Sequence, residues 1–280
     1  MSITRQNLSV IIVSYKSDHV IENCINSIDG EIEIIVIDNS NNDQFKKKIE
    51  TKYKNVKCIL SKKNLGMGGG NNLGIENVNK DFALILNPDV ALENNSLNEI
   101  FIASKEIDKF GIIAPISIKD EYPNYILKKG HNFDPEKPFK VKSVDGYAML
   151  LNLKQLKKIE DFNFFDENFF LYLENEDLCK RLIEKNEDIY IIPKSKISHL
   201  GGKAVDPKYK DQIEYLRNWH WMWSKFYFNR KHYGYFIALS KVLKNFISAK
   251  IKFFYYLITF NTFKRKIYQM RLLGLISSMI

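Results

Sequence analysis

The sequence predicts an α/β protein with a mostly parallel sheet, helices on both faces of that sheet, and a basic, aromatic, helical extension at the C-terminal end. Three observations carry this. Continuous β-branched apolar runs alternate with amphipathic segments from Leu8 to Ile116, the order that successive βαβ units produce. The runs are apolar at consecutive positions, as in strands covered on both faces. Charge is unevenly placed: residues 208–280 hold 14 Lys and Arg against 2 Asp and Glu, a net of +12, so the chain total of +9 leaves −3 on residues 1–207. Two domains are therefore expected, 1–207 and 208–280.

LSVIIVS (8–14) is the first strand. In DHVIENCINSI, Asp18 can cap a helix whose apolar face is Val20, Ile21, Cys24, Ile25 and Ile28. IEIIVID (32–38) is the second strand, followed by a polar helix and then VKCIL (56–60) as the third. A glycine-rich loop, NLGMGGGNNLG (64–74), leads through a short helix to DFALIL (81–86). SLNEIFIASKEI (96–107) is a helix with Ser96 as its cap, and FGIIAPI is a fifth strand. Between Lys119 and Lys142 the pattern breaks into polar and turn residues, as in a hairpin or a site loop. VDGYAMLL resumes as a strand and LENEDLCKRLIEKN (173–186) is helical. DIYIIP and KISHL are short extended segments.

Three widely separated cysteines, Cys24, Cys58 and Cys179, offer neither metal spacing nor a disulfide frame, which points to a reducing compartment. LSVIIV is too short for the core of a secretory leader. In the basic tail the longest apolar run, FFYYLITF, falls well short of the roughly 20 residues a spanning helix needs. Aromatics interleaved with Lys and Arg fit an interfacial helix on an anionic leaflet. A helix pair packed on the body with solvated lysines fits them too. The same interleaving suits single-stranded nucleic acid, but no nucleic-acid-binding motif is present and the body is acidic, so nucleic acid is not expected as a partner.

Ligands of open α/β sheets sit beyond the carboxyl ends of strands. Ser14, Tyr15, Asp38 and Asp89 fall at such ends. Asp38 and Asp89 can equally be turn formers, since Asp-Asn and Pro-Asp are good turn dipeptides. The glycine loop departs from the dinucleotide pattern at Asn71 and lacks the Gly-Lys-Ser/Thr ending of a nucleoside-triphosphate loop. It either brings backbone close to a ligand or merely punctuates the chain.

VIIVSY, IVIDNS, NLGMGGGNN, LILNPDV, DGYAMLL, FFLYLENEDLCKRL and SHLGG occur in this order. Over about residues 7–230 the chain resembles the family 2 glycosyltransferases, especially the rhamnosyltransferase-like branch that builds bacterial cell-surface polysaccharides. The resemblance implies the GT-A fold, a dTDP- or UDP-sugar donor, Mg²⁺ or Mn²⁺, and inversion at the anomeric carbon. It further implies a glycan or lipid-linked oligosaccharide acceptor and a peripheral place on the cytoplasmic face of the inner membrane. Asn87-Pro88-Asp89 stands where the family carries its metal-holding D-x-D motif, so Asp89 supplies the charged oxygen and Asn87 flanks it. His199 matches a position that gives a metal ligand in some relatives, though it also reads as an ordinary strand end. Asp38 corresponds to the acid that reads the base, with Ser14 and Tyr15 beside it. Asn64, Gly66 and Asn72 would lie along the ribose and diphosphate, and Asp145 near the donor sugar.

The resemblance breaks at the catalytic base. Inversion needs a carboxylate that takes the acceptor proton, and family members usually carry it at the second position of a Glu-Asp pair. Here that position is Asn175, in Glu174-Asn175-Glu176-Asp177-Leu178. Glu174 and Asp177 share a helix face while Glu176 points elsewhere, so Glu174 and then Asp177 are the candidates. An Asp at 175 would restore the family pattern and is expected to be tolerated. The alternative is an acidic helix start that complements the helix dipole. The departures also leave room for a nucleotidyltransferase or an inactive nucleotide-sugar-binding relative.

Overall fold

The computed structural model describes residues 2–118, 123–127 and 134–280. The strands are β1 (Leu8–Ser14), β2 (Glu33–Asp38), β3 (Val56–Leu60), β4 (Phe82–Leu86), β5 (Val90–Leu92), β6 (Ile112–Ser117), β7 (Tyr125–Leu127), β8 (Phe139–Val144), β9 (Ala148–Asn152) and β10 (Ile189–His199). The helices are α1 (Ile21–Asn26), α2 (Asp43–Lys52), α3 (Gly66–Glu76), α4 (Ser96–Glu106), α5 (Leu153–Leu156), α6 (Glu174–Glu184), α7 (Lys210–Tyr233), α8 (Tyr235–Ile258) and α9 (Thr262–Met279).

The sheet runs β3-β2-β1-β4-β9-β6-β10-β8-β7, with β5 paired to β10. β3, β2, β1 and β4 are parallel neighbours, and so are β6 and β10. β9 enters antiparallel between β4 and β6. β5 and β8 run antiparallel to β10, and β7 antiparallel to β8. This is the predicted α/β sheet, with a hairpin where the sequence pattern broke; residues 119–122 and 128–133 of that stretch lie outside the described residues.

Every residue of β1 is buried, because helices cover both faces. Val10, Ile12, Val36 and Leu84 pack with Ile21, Phe45 and Ile100 on one side. Ile11, Val13, Ile37 and Ile85 pack with Ile75, Leu178 and Leu182 on the other. Alternation along each strand thus feeds two layers at once.

Several local expectations are corrected. The glycine-rich stretch is not a loop before a helix; it is α3 itself. A Cβ on Gly70 would stand 2.7 Å from Val13 Cγ1, and one on Gly74 2.5 Å from Ile11 Cγ2. The glycines let α3 lie directly on β1, and this packing outweighs a helix-propensity cost of about 1 kcal/mol per glycine. α1 starts at Ile21 without a side-chain cap; the Ser17 carbonyl accepts from the Val20 and Ile21 amides at 3.0 and 3.1 Å, so Asp18 is not the cap. Ser96 opens α4 after a left-handed Asn95 cap, and its hydroxyl pairs with that of Ser195 at 2.7 Å. VDGYAMLL is divided by a turn at Gly146-Tyr147, and DIYIIP and KISHL form one strand whose register shifts between Ile192 and Lys196, where Pro193 is accommodated.

The chain forms two compact units, one of residues up to Glu167 with Asn175–Asp206, the other of Asn168–Glu174 with Pro207–Ile280. The second is helical. α7, α8 and α9 enclose Met222, Phe226, Ala238, Val242 and Leu275. Gly234, at φ 89, separates α7 from α8, and a side chain at Gly274 would collide with the Trp219 carbonyl. Asn168–Glu174 belongs with these helices: Phe170 stacks on His220 at 4.4 Å, Tyr172 meets Trp221 edge-on at 5.5 Å, and the Ser224 hydroxyl donates to the Leu171 carbonyl at 2.8 Å. The sequence boundary near 207 therefore leaves out a segment of this unit that lies earlier in the chain.

Candidate functional site

The carboxyl ends of β1, β2 and β4 are adjacent, and Ser14 is in register with Asp38. Both are buried, and the Ser14 hydroxyl has no partner among the described residues. The Asp38 carboxylate accepts from the Ser40 amide at 3.1 Å and the Asn42 amide at 2.8 Å. It is thus a turn former as well as a strand-end acid. Burial still holds its carboxyl above the ordinary range against the pull of those amides. Tyr15 is half-buried beneath the Lys16 ammonium, 5.2 Å from its ring.

Asn39, which the sequence reading passed over, ties this edge to α3. Its amide donates to the Gly66 carbonyl at 3.0 Å, and its oxygen accepts from the Ser61 hydroxyl at 3.0 Å and the Leu65 amide at 3.3 Å. Asn64 accepts from the Gly66 amide at 3.0 Å. Asn72 is engaged within the chain: it donates to the Phe165 carbonyl at 2.9 Å and to Glu167 Oε1 at 3.0 Å, and accepts from the Phe165 amide at 3.0 Å. That holds the 165–167 segment on α3. The neighbouring Asn71 is buried with its side-chain oxygen unpartnered among the described residues.

Beyond β4, Asn87-Pro88-Asp89 turns the chain, with the Val90 amide donating to the Asn87 carbonyl at 3.1 Å. β5 then pairs with the end of β10, placing Val90 opposite His199. Asp89 is 4% exposed. Its Oδ2 accepts from the Lys203 amide at 3.1 Å and lies 3.7 Å from His199 Nε2. Its Oδ1, and Asn87 Oδ1 beside it, are buried without a protein partner among the described residues. The His199 ring is held by Tyr147, stacked at 4.0 Å and 23°. The Tyr147 carbonyl accepts from the Asn87 amide at 2.9 Å. Gly201 and Gly202, both left-handed, turn the strand so that Lys203 reaches Asp89. The Lys203 carbonyl lies 3.1 Å from His19 Nε2, and the Asp206 amide donates to the Lys16 carbonyl at 2.9 Å. The segment after β10 thereby straps Asp89 to the end of β1.

This corner fits a hard divalent cation. It offers carboxylate and amide oxygens and an imidazole nitrogen, with two buried oxygens left for a ligand. Among the described residues no three His, Cys, Asp or Glu side chains converge. A cation here would take its remaining ligands from substrate oxygens and water.

Asn175 and Glu176 open the part of α6 that lies in the sheet unit. The Asn175 amide donates to the Val144 carbonyl at 2.8 Å, and a Cβ at Gly146 would come within 3.1 Å of the Asn175 Cβ. Glu176 lies off the face expected to matter, yet burial first, and then the charge of Asp145, hold its carboxyl above the usual range, with Lys142 opposing. Asp145 is exposed at the turn after β8, where its amide donates to the Asn124 carbonyl at 2.9 Å. Asp177 is fully buried and paired with Arg181, Nε to Oδ2 at 2.7 Å. Arg181 also donates to the Asn163 and Phe164 carbonyls at 2.5 and 2.6 Å. Through Arg181, Asp177 is tied to the 163–164 segment. Glu174, in the helical unit, is 8% exposed and follows two left-handed residues, Tyr172 at φ 71 and Leu173 at φ 67. Bulky residues rarely hold that backbone.

The fold is of the GT-A glycosyltransferase class, and comparison with known proteins gives the family. The model of the family described as glycosyl transferase family 2 matches residues 9–169, and the chain belongs to that family. It is 29% identical over 201 residues to the low-salt glycan biosynthesis hexosyltransferase Agl10 of Haloferax volcanii, an alignment that covers 65% of this chain and 64% of that relative. The chain thus spans just under two thirds of the relative's length. Among solved structures, the mannosyltransferase PcManGT of Pyrobaculum calidifontis in complex with GDP-Man and Mn²⁺ superposes with a TM-score of 0.57 at 10% identity, covering 97% of this chain and 86% of that one. GalNAc-T7 with UDP, GalNAc and Mn²⁺ gives 0.56 at 13% identity, with coverage of 86% and 57%. At such identities the likeness is one of fold, and it is the GT-A fold.

Proposed function

We propose that the protein is an inverting glycosyltransferase. It would move a hexose, rhamnose or a similar sugar, from a dTDP- or UDP-sugar to a lipid-linked glycan at the cytoplasmic face of the membrane. The observation that carries this reading is the Asp89 corner: a buried carboxylate with one oxygen unpartnered among the described residues and the other facing His199. A divalent cation held there by Asp89 and His199 would neutralise the charge developing on the departing diphosphate. Asn87 Oδ1, an acceptor, would orient a water beside such a cation. Asp38, Ser14 and Tyr15 hold the base, and the Asn39 ties keep the start of α3 against that edge. Asp145 orients the donor sugar.

In the reaction the acceptor hydroxyl oxygen bonds to the anomeric carbon on the face opposite the nucleotide. Its proton passes to the Glu174 carboxylate, and the bond from the anomeric carbon to the diphosphate oxygen breaks. The nucleoside diphosphate leaves with that electron pair. Asn175 cannot take a proton, which is why the role falls to Glu174.

The test is calorimetry of UDP-, dTDP- and GDP-sugars with and without Mn²⁺, on the native protein and on Asp89→Asn. Asparagine keeps an acceptor for the Lys203 amide and removes the charge. Native binding that needs Mn²⁺ and is lost in Asp89→Asn is expected. Metal-independent binding equal in both proteins would overturn the assignment, and release of inorganic diphosphate during turnover would point to nucleotidyl transfer.

A further inference from the structure

Helix α8 is amphipathic in an unusual sense: its outer face is apolar. Ala238, Val242 and Ala249 are buried among α7 and α9, with Leu239 and Phe246 packed against the same cluster. The opposite face carries Phe236, Leu243, Ile247, Ile251, Phe254 and Ile258 at spacings of seven, four, four, three and four residues, which is one side of a helix. They are about half exposed or more, with Phe236 at 83%, Ile251 at 64% and Ile258 at 75%. An exposed apolar row of this kind, with Ser240 between Phe236 and Leu243, marks a surface with a partner.

The charges identify the partner. Lys244 and Lys250 border the row on opposite sides, and Lys241 and Lys252 are exposed further round the helix. There is no acidic residue anywhere after Glu214. A second copy docked through this same face would bring lysine against lysine, with no acidic residue on α8 to neutralise either. An anionic lipid surface complements both the row and its borders. Among the described residues no helix is long and apolar enough to cross a membrane.

We propose that α8 lies in the plane of an anionic bilayer, with Phe236, Leu243, Ile247, Ile251, Phe254 and Ile258 sunk among the acyl chains and Lys244 and Lys250 at the headgroups. This rests on the reading of a membrane-borne acceptor and adds the face that meets the lipid. Buried apolar area sets the depth of attachment and salt does not screen it, whereas the lysine contribution is screened.

The experiment is co-sedimentation of the full chain with vesicles of equimolar phosphatidylglycerol and phosphatidylcholine, against vesicles of phosphatidylcholine alone, in the absence of donor and metal. The native chain should pellet with the anionic vesicles. The exposed-face variant Ile247→Glu with Ile251→Glu should partition about tenfold less or worse at an unchanged melting temperature. Lys244→Gln with Lys250→Gln should lose only the preference for anionic lipid. Equal partition of native and Ile247→Glu/Ile251→Glu chains would overturn the proposal. So would a native dimer that this variant splits while vesicles bind neither. Because no nucleotide is present, failure here leaves the donor-binding test untouched, and failure of that test leaves the vesicle result standing.

Discussion

The Asn175 side-chain amide donates to the Val144 carbonyl at 2.8 Å, joining the start of α6 to the end of β8. A carboxylate cannot donate. The sequence pattern alone suggests that Asn175→Asp restores a family feature, but here it would set a charged oxygen against a carbonyl oxygen. Asn175→Asp is expected to cost about 1–3 kcal/mol, the penalty for an unmatched buried acceptor, and to raise no rate. Urea denaturation of the two proteins measures it. An unchanged midpoint with higher turnover would restore the sequence-based expectation.

Glu174 and Asp177 separate by readout. Glu174→Gln removes basicity and keeps shape, so turnover should fall by about 100-fold or more with donor affinity retained. Asp177→Asn breaks its pair with Arg181, which also holds the 163–164 segment. It should therefore lower stability by about 2–4 kcal/mol, given the cost of leaving a largely buried charge alone. Turnover measured well below the melting point would then change little. A stable, inactive Asp177→Asn together with a fully active Glu174→Gln would reverse the two roles.

Much of this was legible in the chain. Leu8–Ser14 and Glu33–Asp38 each carry four consecutive apolar residues, Val10–Val13 and Ile34–Ile37, so their burial on both faces could be read directly, and Asp89 stood out because a rigid proline precedes it. What was not legible depends on register between distant segments. Tyr147 stacks on His199 only because Asn87 hydrogen-bonds to the turn before β9 while β5 pairs with β10. Asn39 gives no local signal, since its partners are 22 to 27 residues away. The glycines of α3 misled because local propensity favours a loop, and the close approach of Ile11 and Val13 is a tertiary fact.

That approach fixes the sign of a substitution. Helix propensity says Gly74→Ala should stabilise α3 by about 1 kcal/mol. The new Cβ would stand 2.5 Å from Ile11 Cγ2, inside a fully buried strand. Overpacking of this kind costs about 1–3 kcal/mol, so the net should be a lower melting temperature. Gly30→Ala, where a Cβ meets nothing within 4 Å, is the control. A Gly74→Ala protein that melts higher than the native one would mean that α3 can move away from β1.

The helical unit should be sensitive to acid through His220. Its ring stacks on Phe170 and meets Trp219 edge-on, and burial lowers its pKa to about 4. In the unfolded chain the same group titrates near 6.5. Between those values the unfolded state binds the proton and the folded state does not, so stability rises with pH across the window. The full contribution is present above about pH 6.5 and is lost as pH falls through about 4. The ring is partly exposed, and discounting for solvent leaves about 1–2 kcal/mol. His220→Phe keeps an aromatic surface against Phe170 and cannot be protonated. Chemical denaturation from pH 7 to pH 4, followed by tryptophan fluorescence of Trp219, Trp221 and Trp223, should show the native protein losing stability that His220→Phe retains. Parallel losses in both proteins would assign the acid sensitivity to other groups.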